Sequence, residues 1–349
     1  MLNPRCVVSD MHFHGWSQFA KPSADGINSR LRIAIDELER AADTLLKAGG
    51  TRMIIAGDTF HVRGSIDPEV FNPVHEAFCR ILARGVSIEA IVGNHDLKGK
   101  ETTELGNAIQ TLGALEGFTV ITEICVRQGI VFVPWISSAD GVRAAVDAIA
   151  SSLTSTGDFD LILHTGINGV LIDVPDHGLS IEEIAKWGFK RVMSGHYHHH
   201  KYLENGIYSI GALVPQTWSD VAAKAGFLIV DDESVRWNAS RAPSFVDIDE
   251  NTDPEEIPLI VDGNYVRIRG LKMTNEQIKQ MGEELRAMGA AGVSFQVARE
   301  VISARTGSAP AKITSLEASI AKYINDTIGD PAVIDACREI MTAVTTVAS

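Results

Sequence analysis

Several short apolar runs in this chain end in residues that can hold a metal ion or move a proton. Residues 6–9 lead into Asp10-Met11-His12. Residues 52–56 lead into Gly57-Asp58, and 87–92 into Gly93-Asn94-His95-Asp96. Residues 161–163 are followed by His164, and 191–194 by Gly195-His196-Tyr197-His198. Side chains alternate along an extended chain, so Asp10 and His12 share one side, as do His196 and His198. Imidazole, carboxylate and amide donors without thiolate suit a divalent transition metal. A carboxylate such as Asp58 has two oxygens and can bridge two ions. Taken singly, Gly-Asp or Asp-x-His is weak; the ordered set is not a scatter of polar residues.

The elements that must position these donors alternate. Runs at 6–9, 52–56, 87–92, 120–124, 130–134, 161–163, 191–194, 207–210 and 227–230 read as strands. Residues 28–48, 68–84, 101–113 and 139–153 read as helices. The runs 120–124 and 130–134 are expected to pair around the turn at Gln128-Gly129. Strand–helix alternation of this kind indicates an α/β layered domain. In open α/β sheets, ligand sites gather at the carboxyl ends of the strands, where these donors lie. After Arg241 the character changes. Residues 247–256 are acidic and read as a linker. A strand at 265–269, a helix at 275–288 and a strand at 292–298 form a small β-α-β block. Residues 314–346 read as two helices split near Gly329-Asp330-Pro331. Leu316, Ile320, Ile324 and Ile328 fall on one helical face that this chain or a partner must cover.

Composition narrows the class. The chain has 349 residues, 45% hydrophobic and 22% charged, which argues against disorder and suggests more than one domain. No apolar run approaches the ~18 residues of a membrane span. The stretch 130–136 is interrupted by Pro134. The start lacks the basic and then apolar pattern of a secretory signal. The 4 cysteines, at 6, 79, 125 and 337, form no CxxC pair, so neither a disulfide framework nor a thiolate zinc site is expected. A reduced, cytoplasmic setting fits. Lys and Arg number 31 against 45 Asp and Glu, a formal net charge of −14. That argues against a protein that coats nucleic acid. It leaves room for an enzyme that cuts nucleic acid with metal ions, which bring their own positive charge.

The order D-x-H, G-D, G-N-H-D, H, G-H-x-H over residues 1–215 resembles the calcineurin-like metallophosphoesterase superfamily. The resemblance implies a double-layered β-sandwich flanked by helices, with two divalent metal ions. Asp10, His12 and His198 would hold one ion; Asn94, His164 and His196 would hold the other. Asp58 would bridge them, and every expected ligand is present. Manganese is the expected metal, with iron or zinc as alternatives; magnesium suits so many histidines poorly. Two such ions polarise a phosphoryl oxygen and make the water between them nucleophilic. His95, beside a ligand but not one itself, is expected to contact the transition state or protonate the leaving oxygen. Asp96 is expected to orient His95, or else to serve as a turn residue.

Within the superfamily, Gly57-Asp58-Thr59-Phe60-His61-Val62-Arg63 resembles the DNA-repair exonuclease branch, the SbcD-type nuclease subunits. Residues 210–215, 226–231 and 241–245 look like the end of that branch's nuclease domain. The resemblance divides the chain into a nuclease domain at 1–245, a small α/β cap at 257–305 and a helical tail at 312–349. It implies cleavage of DNA at double-stranded ends, an SMC-like coiled-coil ATPase partner and a homodimer. The chain has no GxxxxGK[ST] loop, so ATP use would belong to that partner. The tail is expected to dock on the partner or pack on the cap. The face Val70, Val74, Phe78 and Leu82 is a dimer candidate or a plain core face. His61 is expected to handle the scissile strand or to be structural, with Arg63 and His14 as further substrate contacts. His199 and His200 read as loop residues near the metal edge. The five Trp are dispersed, which speaks against a stacking platform. Arg267, Arg269 and Lys272 could meet phosphate or simply end a solvated strand. The alternative function is a phosphodiesterase or phosphatase acting on nucleotides or other small phosphoesters. A non-enzymatic scaffold is disfavoured by the complete ligand set.

Overall fold

The computed structural model describes residues 4–61, 64–103, 106–171, 178–299 and 336. Met1–Glu300 forms one compact unit and Val301–Ser349 a second. Arg63, residues 300–305 of the expected cap and all of the expected tail except Ala336 lie outside the described residues.

The strands in chain order are β1 (Arg5–Val8), β2 (Arg52–Ala56), β3 (Ser87–Ile91), β4 (Phe118–Ile121) and β5 (Cys125–Arg127). Then come β6 (Ile130–Val133), β7 (Asp160–His164), β8 (Arg191–Gly195), β9 (Lys201–Tyr202) and β10 (Ile207–Ser209). The last are β11 (Gly226–Val230), β12 (Val235–Ala239), β13 (Phe245–Ile248), β14 (Tyr265–Met273) and β15 (Gly292–Arg299). The α-helices are α1 (Ser29–Lys47), α2 (Pro68–Ala83), α3 (Ala139–Ser152), α4 (Ile181–Lys186), α5 (Ile257–Val261) and α6 (Asn275–Ala287).

Two six-stranded sheets carry the fold, in the orders β12-β11-β1-β2-β3-β4 and β5-β6-β7-β8-β10-β9. Each has a parallel centre; the second ends in an antiparallel strand at both edges, the first only at the β11-β12 edge, since β4 runs parallel to β3. The sheets face each other across a shared apolar layer. Val7, Ile54, Ile91, Phe132, Ile162 and Met193 fill it. Period-two alternation sends their neighbours the other way. Cys6, Val8, Met53 and Ile55 pack with residues of α1 and α2, while Leu161 and Leu163 pack with residues of α3 and α4. Both faces of each central strand are therefore buried, so these strands read as continuous apolar runs in the sequence. A fully buried side chain of this size contributes about 1.5–3 kcal/mol. The result is the double-layered sandwich flanked by helices.

Helix α1 starts where Asn28 accepts hydrogen bonds from the N–H groups of Arg30 and Leu31 at 3.0 and 3.3 Å. Helix α2 starts with Asp67 as cap and Pro68 in the first turn. Val70, Val74 and Phe78 of α2 are buried in this chain's own core, so that face is a core face rather than a surface for a second copy.

Three expectations need correction. Residues 101–113 do not form an α-helix: the described part holds a short 3₁₀ turn at Gln110–Ala114. The chain there pairs back on the Gly93–Asp96 loop. Lys98 N–H donates to Gly106 O at 2.9 Å and Ala108 N–H to Asp96 O at 2.7 Å. The strand before the Gln128-Gly129 turn is β5 (Cys125–Arg127), not 120–124, and β4 belongs to the other sheet beside β3. The acidic stretch begins in structure: β13 pairs in parallel with β14, and β14 with β15, as a small three-stranded sheet. Helices α5 and α6 contribute Val261 and Leu285 to its core. Among the described residues, no helix is long and apolar enough to cross a membrane.

Candidate metal centre

Five strand ends, from both sheets, carry the polar cluster: β1, β2 and β3 from one sheet, β7 and β8 from the other. Four of its residues hold positive φ: Asp10 (49°), His12 (43°), Asp58 (53°) and His196 (96°). Such backbone is costly for non-glycine residues and gathers at functional sites. The close approach of strands needs glycine at two points. A Cβ on Gly57, itself at φ +92°, would sit 2.3 Å from His164 Nδ1. One on Gly195 would sit 2.1 Å from Ser9 Oγ and 2.4 Å from Ala56 O.

Asp58 is the centre of the arrangement and is almost wholly buried. Its Oδ1 accepts from the His95 backbone N–H at 2.7 Å. Its Oδ2 is left facing two imidazoles, 3.3 Å from His164 Nε2 and 3.5 Å from His12 Nε2. On one side Asn94 Oδ1 lies 3.1 Å from both His164 Nε2 and His196 Nδ1. On the other, Asp10, His12 and His198 offer ligand atoms within 4.8 Å of one another. His198 Nε2 is 3.1 Å from His12 Nε2. Asp10 is tied across the sheets by accepting from the His196 backbone N–H at 3.2 and 3.0 Å.

The other ring nitrogens settle which atoms face the centre. His164 Nδ1–H donates to Ala56 O at 2.7 Å, so Nε2 points inward. His198 Nδ1–H donates to Asp220 Oδ1 at 2.8 Å, again leaving Nε2 inward. The Asn94 oxygen and the His164 and His196 nitrogens lie 3.1 Å apart, as do the His12 and His198 nitrogens, close enough for each pair to share one cation. That donor set fits divalent cations on either side of Asp58.

The titration directions follow from burial and from the neighbouring carboxylates and imidazoles. Burial pushes the Asp58 carboxyl up, but His164, His12 and His95 outweigh it and hold it below the usual carboxylate range. Burial raises Asp10. It also lowers His12 well below the usual imidazole value, and His196 to about 4, so both are neutral at neutral pH. For His198 burial is outweighed by the bond to Asp220, which raises it to about 9. For His164 burial is likewise outweighed by Asp58, with the same result of about 9.

His95 and Asp96 lie in the same loop but do not pair. Asp96 accepts from the backbone N–H groups of Phe60 and Gly93, each at 3.0 Å. Burial and neighbouring Asp58 push its carboxyl up to about 7. The expected role of Asp96 in orienting His95 falls instead to the His61 carbonyl, 3.0 Å from His95 Nδ1. Asp96 serves the backbone of both loops, because each of its oxygens is taken by one of these N–H groups. His61 lies within the cluster, with Nδ1 3.3 Å from His12 Nδ1 and its ring stacked on His95 at 5.2 Å. Burial lowers His61 to about 4. His14 sits behind it, 5.2 Å from the His61 ring. His199 accepts from Lys224 N–H at 3.3 Å, and His200 stacks on Trp237; neither is among the residues grouped around Asp10 and Asp58.

Sequence reasoning missed four residues here. Trp16 lies 4.6 Å from the His61 ring and Trp135 5.4 Å from the His196 ring, so two of the dispersed tryptophans flank the centre. Asp220 and Gln216 support it from a loop after β10. Asp220 also closes a Thr217-x-x-Asp220 capping box. No local signal marks its second task.

No family model matches the chain. Exonuclease subunit 1 of Enterobacteria phage T4 is 27% identical over 213 residues, 58% of this chain. The chain spans 60% of that relative's length. Among solved structures, a dimetal phosphatase from Danio rerio is similar with a TM-score of 0.41 and 10% identity, over 68% of this chain and 95% of that one. The Pseudomonas putida nuclease MPE is similar with a TM-score of 0.27 and 16% identity, over 58% of this chain and 66% of that one.

Proposed function

We propose that this chain is a two-metal phosphodiesterase, a hydrolase of the metallophosphoesterase type, that cuts DNA from double-stranded ends. The observation that carries the reading is Asp58 Oδ2 set between His12 and His164, with a full donor set on each side. Asp10, His12 and His198 would hold one ion and Asn94, His164 and His196 the other, with Asp58 shared. When bound, the ions would polarise the phosphoryl oxygen and lower the pKa of the attacking water.

The chain's own residues do the rest. The His61 carbonyl only accepts, so the His95 Nδ1 proton is committed to it. His95 Nε2 is the nitrogen left for the substrate, and in the imidazolium form it gives its proton to the leaving oxygen. With Nε2 on a metal ion, neutral His12 would carry its proton on Nδ1 and donate it toward His61 Nδ1, 3.3 Å away. His61 would then keep Nε2–H as a donor for a phosphate oxygen. A cavity of about 590 Å³ beside His196 and His198, lined also by Tyr197, His199 and Lys201, gives a substrate room next to the metal ligands.

DNA as substrate is supported by the Gly57–Arg63 motif and by the T4 relative's name. That name, a subunit, also supports work in a complex, for which an SMC-like ATPase is the expected partner. We propose the block around β14, α6 and β15 as the cap over the nuclease core, and manganese as the native metal. The net charge of −14 favours a second reading, hydrolysis of nucleotides or other small phosphoesters. Manganese-dependent loss of label from an end-labelled linear duplex, compared with a closed circle, tests the first reading. Turnover of a chromogenic phosphodiester with neither DNA cut would favour the second.

A further inference from the structure

Two buried polar side chains stand behind the ligands of one ion, and both come from the loop after β10. Asp220 is 5% exposed and uses both oxygens. Oδ1 accepts from His198 Nδ1–H at 2.8 Å; Oδ2 accepts from the backbone N–H groups of Gln216 and Thr217 at 2.7 and 3.0 Å. Gln216 is 3% exposed and uses its whole amide. Its Nε2 donates to Met11 O and Val214 O, each at 3.0 Å, while Oε1 accepts from Trp16 Nε1–H at 3.1 Å.

Met11 is the residue between Asp10 and His12, and both of those hold left-handed backbone, at φ 49° and 43°. Strained backbone of this kind persists only where its surroundings over-determine it. The Gln216 amide holds both peptide carbonyls between the two strained residues, Met11 O at 3.0 Å and Asp10 O at 3.5 Å. The same residue's backbone N–H is held by the carboxylate that orients His198. The Asp10–His12 turn is therefore locked to His198, although more than 180 residues of chain separate them.

We propose that Asp220 and Gln216 are positioning residues that set the three side-chain ligands Asp10, His12 and His198 together, as one unit. The inference rests on the two-metal reading above and concerns only one of the two ions. Asn94, His164 and His196 receive no bond from either residue; their links to the unit run through Asp58 and through the His196 N–H on Asp10. Carboxylate partners of ligating histidines fix the ring and its inward nitrogen, and their loss commonly costs 10–100-fold in metal affinity.

The test is calorimetric titration of the full metal-free chain with Mn²⁺, for wild type, Asp220→Asn and Gln216→Met. Gln216→Met keeps the side-chain length and removes its hydrogen bonds. In each variant one of the two Mn²⁺ affinities is expected to fall about 10–100-fold, with the other unchanged. Thermal melting of the metal-free variants reports the fold separately. Unchanged affinities at both sites in folded variants would overturn the inference. So would equal loss at both sites, or loss only in step with the unfolded fraction, because both are what a merely structural role gives. Either variant alone carries the test if the other does not fold. A wild-type chain that takes up fewer than two Mn²⁺ would instead overturn the two-metal reading.

Discussion

Asn94 reaches across from one sheet to the other: its Oδ1, in the loop after β3, lies 3.1 Å from His164 Nε2 at the end of β7. The centre is thus a joint between two sheets, and its geometry depends on how closely they approach. A shift of either sheet moves Asp10, His12, Asp58 and Asn94 relative to His164, His196 and His198. Placement within about 1 Å matters for two-metal chemistry.

Gly195→Ala tests that closeness. The new Cβ would meet Ser9 Oγ and Ala56 O inside van der Waals distance. The strand end must move away from the first sheet, at a cost of about 1–3 kcal/mol. The expected outcome is a lower urea midpoint together with weakened Mn²⁺ binding. A variant as stable as wild type, binding metal equally well, would show that the sheets have slack there.

His95→Ala separates binding from chemistry. The proposed ligand set does not include this ring, so Mn²⁺ stoichiometry is expected to stay the same. Turnover of a phosphodiester is expected to fall about 10²–10⁴-fold, the usual worth of a positioned proton donor. Loss of bound metal in step with activity would instead make His95 part of the ion's support.

Far from the centre, Asp160 sits 2% exposed against Arg5, itself 4% exposed. Burial lowers the Arg5 guanidinium to about 10, which leaves it charged at neutral pH. Asp160→Ala would strand that charge, and a loss of about 3–5 kcal/mol in unfolding free energy is expected from urea titration. Replacing Arg5 and Asp160 together by Leu and Ala is expected to recover much of it. A single variant as stable as wild type would show that water reaches Arg5.

In the small sheet, Arg267 binds both oxygens of Asp247 at 2.7 and 2.8 Å, and Arg269 adds a third bond at 2.8 Å. These bonds, with Arg267 foremost, hold the Asp247 carboxyl below the ordinary range. A carboxyl depressed on folding stabilises the fold at pH above its unfolded pKa, about 3.9. That stability is lost as pH falls through the lower folded value. The difference in urea midpoint between wild type and Asp247→Asn is therefore expected to be constant from pH 7 to 5 and to shrink below about pH 4. A difference independent of pH down to pH 3 would contradict the ion-pair origin.

Much of the centre was legible in the sequence because each ligand follows a strand buried on both faces. Val7 and Ile54 fill the space between sheets while Cys6 and Met53 face the helices, so apolar runs mark the strands and the next polar residue marks the site. Pairing between distant segments was not legible. Residues 101–113 carry a helical pattern, yet their backbone bonds to the Asp96 loop. β4 follows β3 in one sheet and precedes β5 in the other, and nothing local separates the two. Asp220 and Gln216 were hidden for the same reason: their partners, His198 and Met11, are near in space through the crossing of two sheets. The arrangement of His61 and Trp16 likewise depends on the turn after Asp10, whose left-handed backbone no residue type announces.

The most direct measurement is the number of Mn²⁺ ions that the metal-free chain binds, beside the same titration for Asp58→Ala. Two equivalents for wild type are expected. Removing Asp58 takes away the oxygen that lies within 3.5 Å of both His12 and His164, so at least one equivalent is expected to be lost with the fold intact. One equivalent or none for wild type, or two undiminished equivalents without Asp58, would contradict a two-metal centre built around that carboxylate.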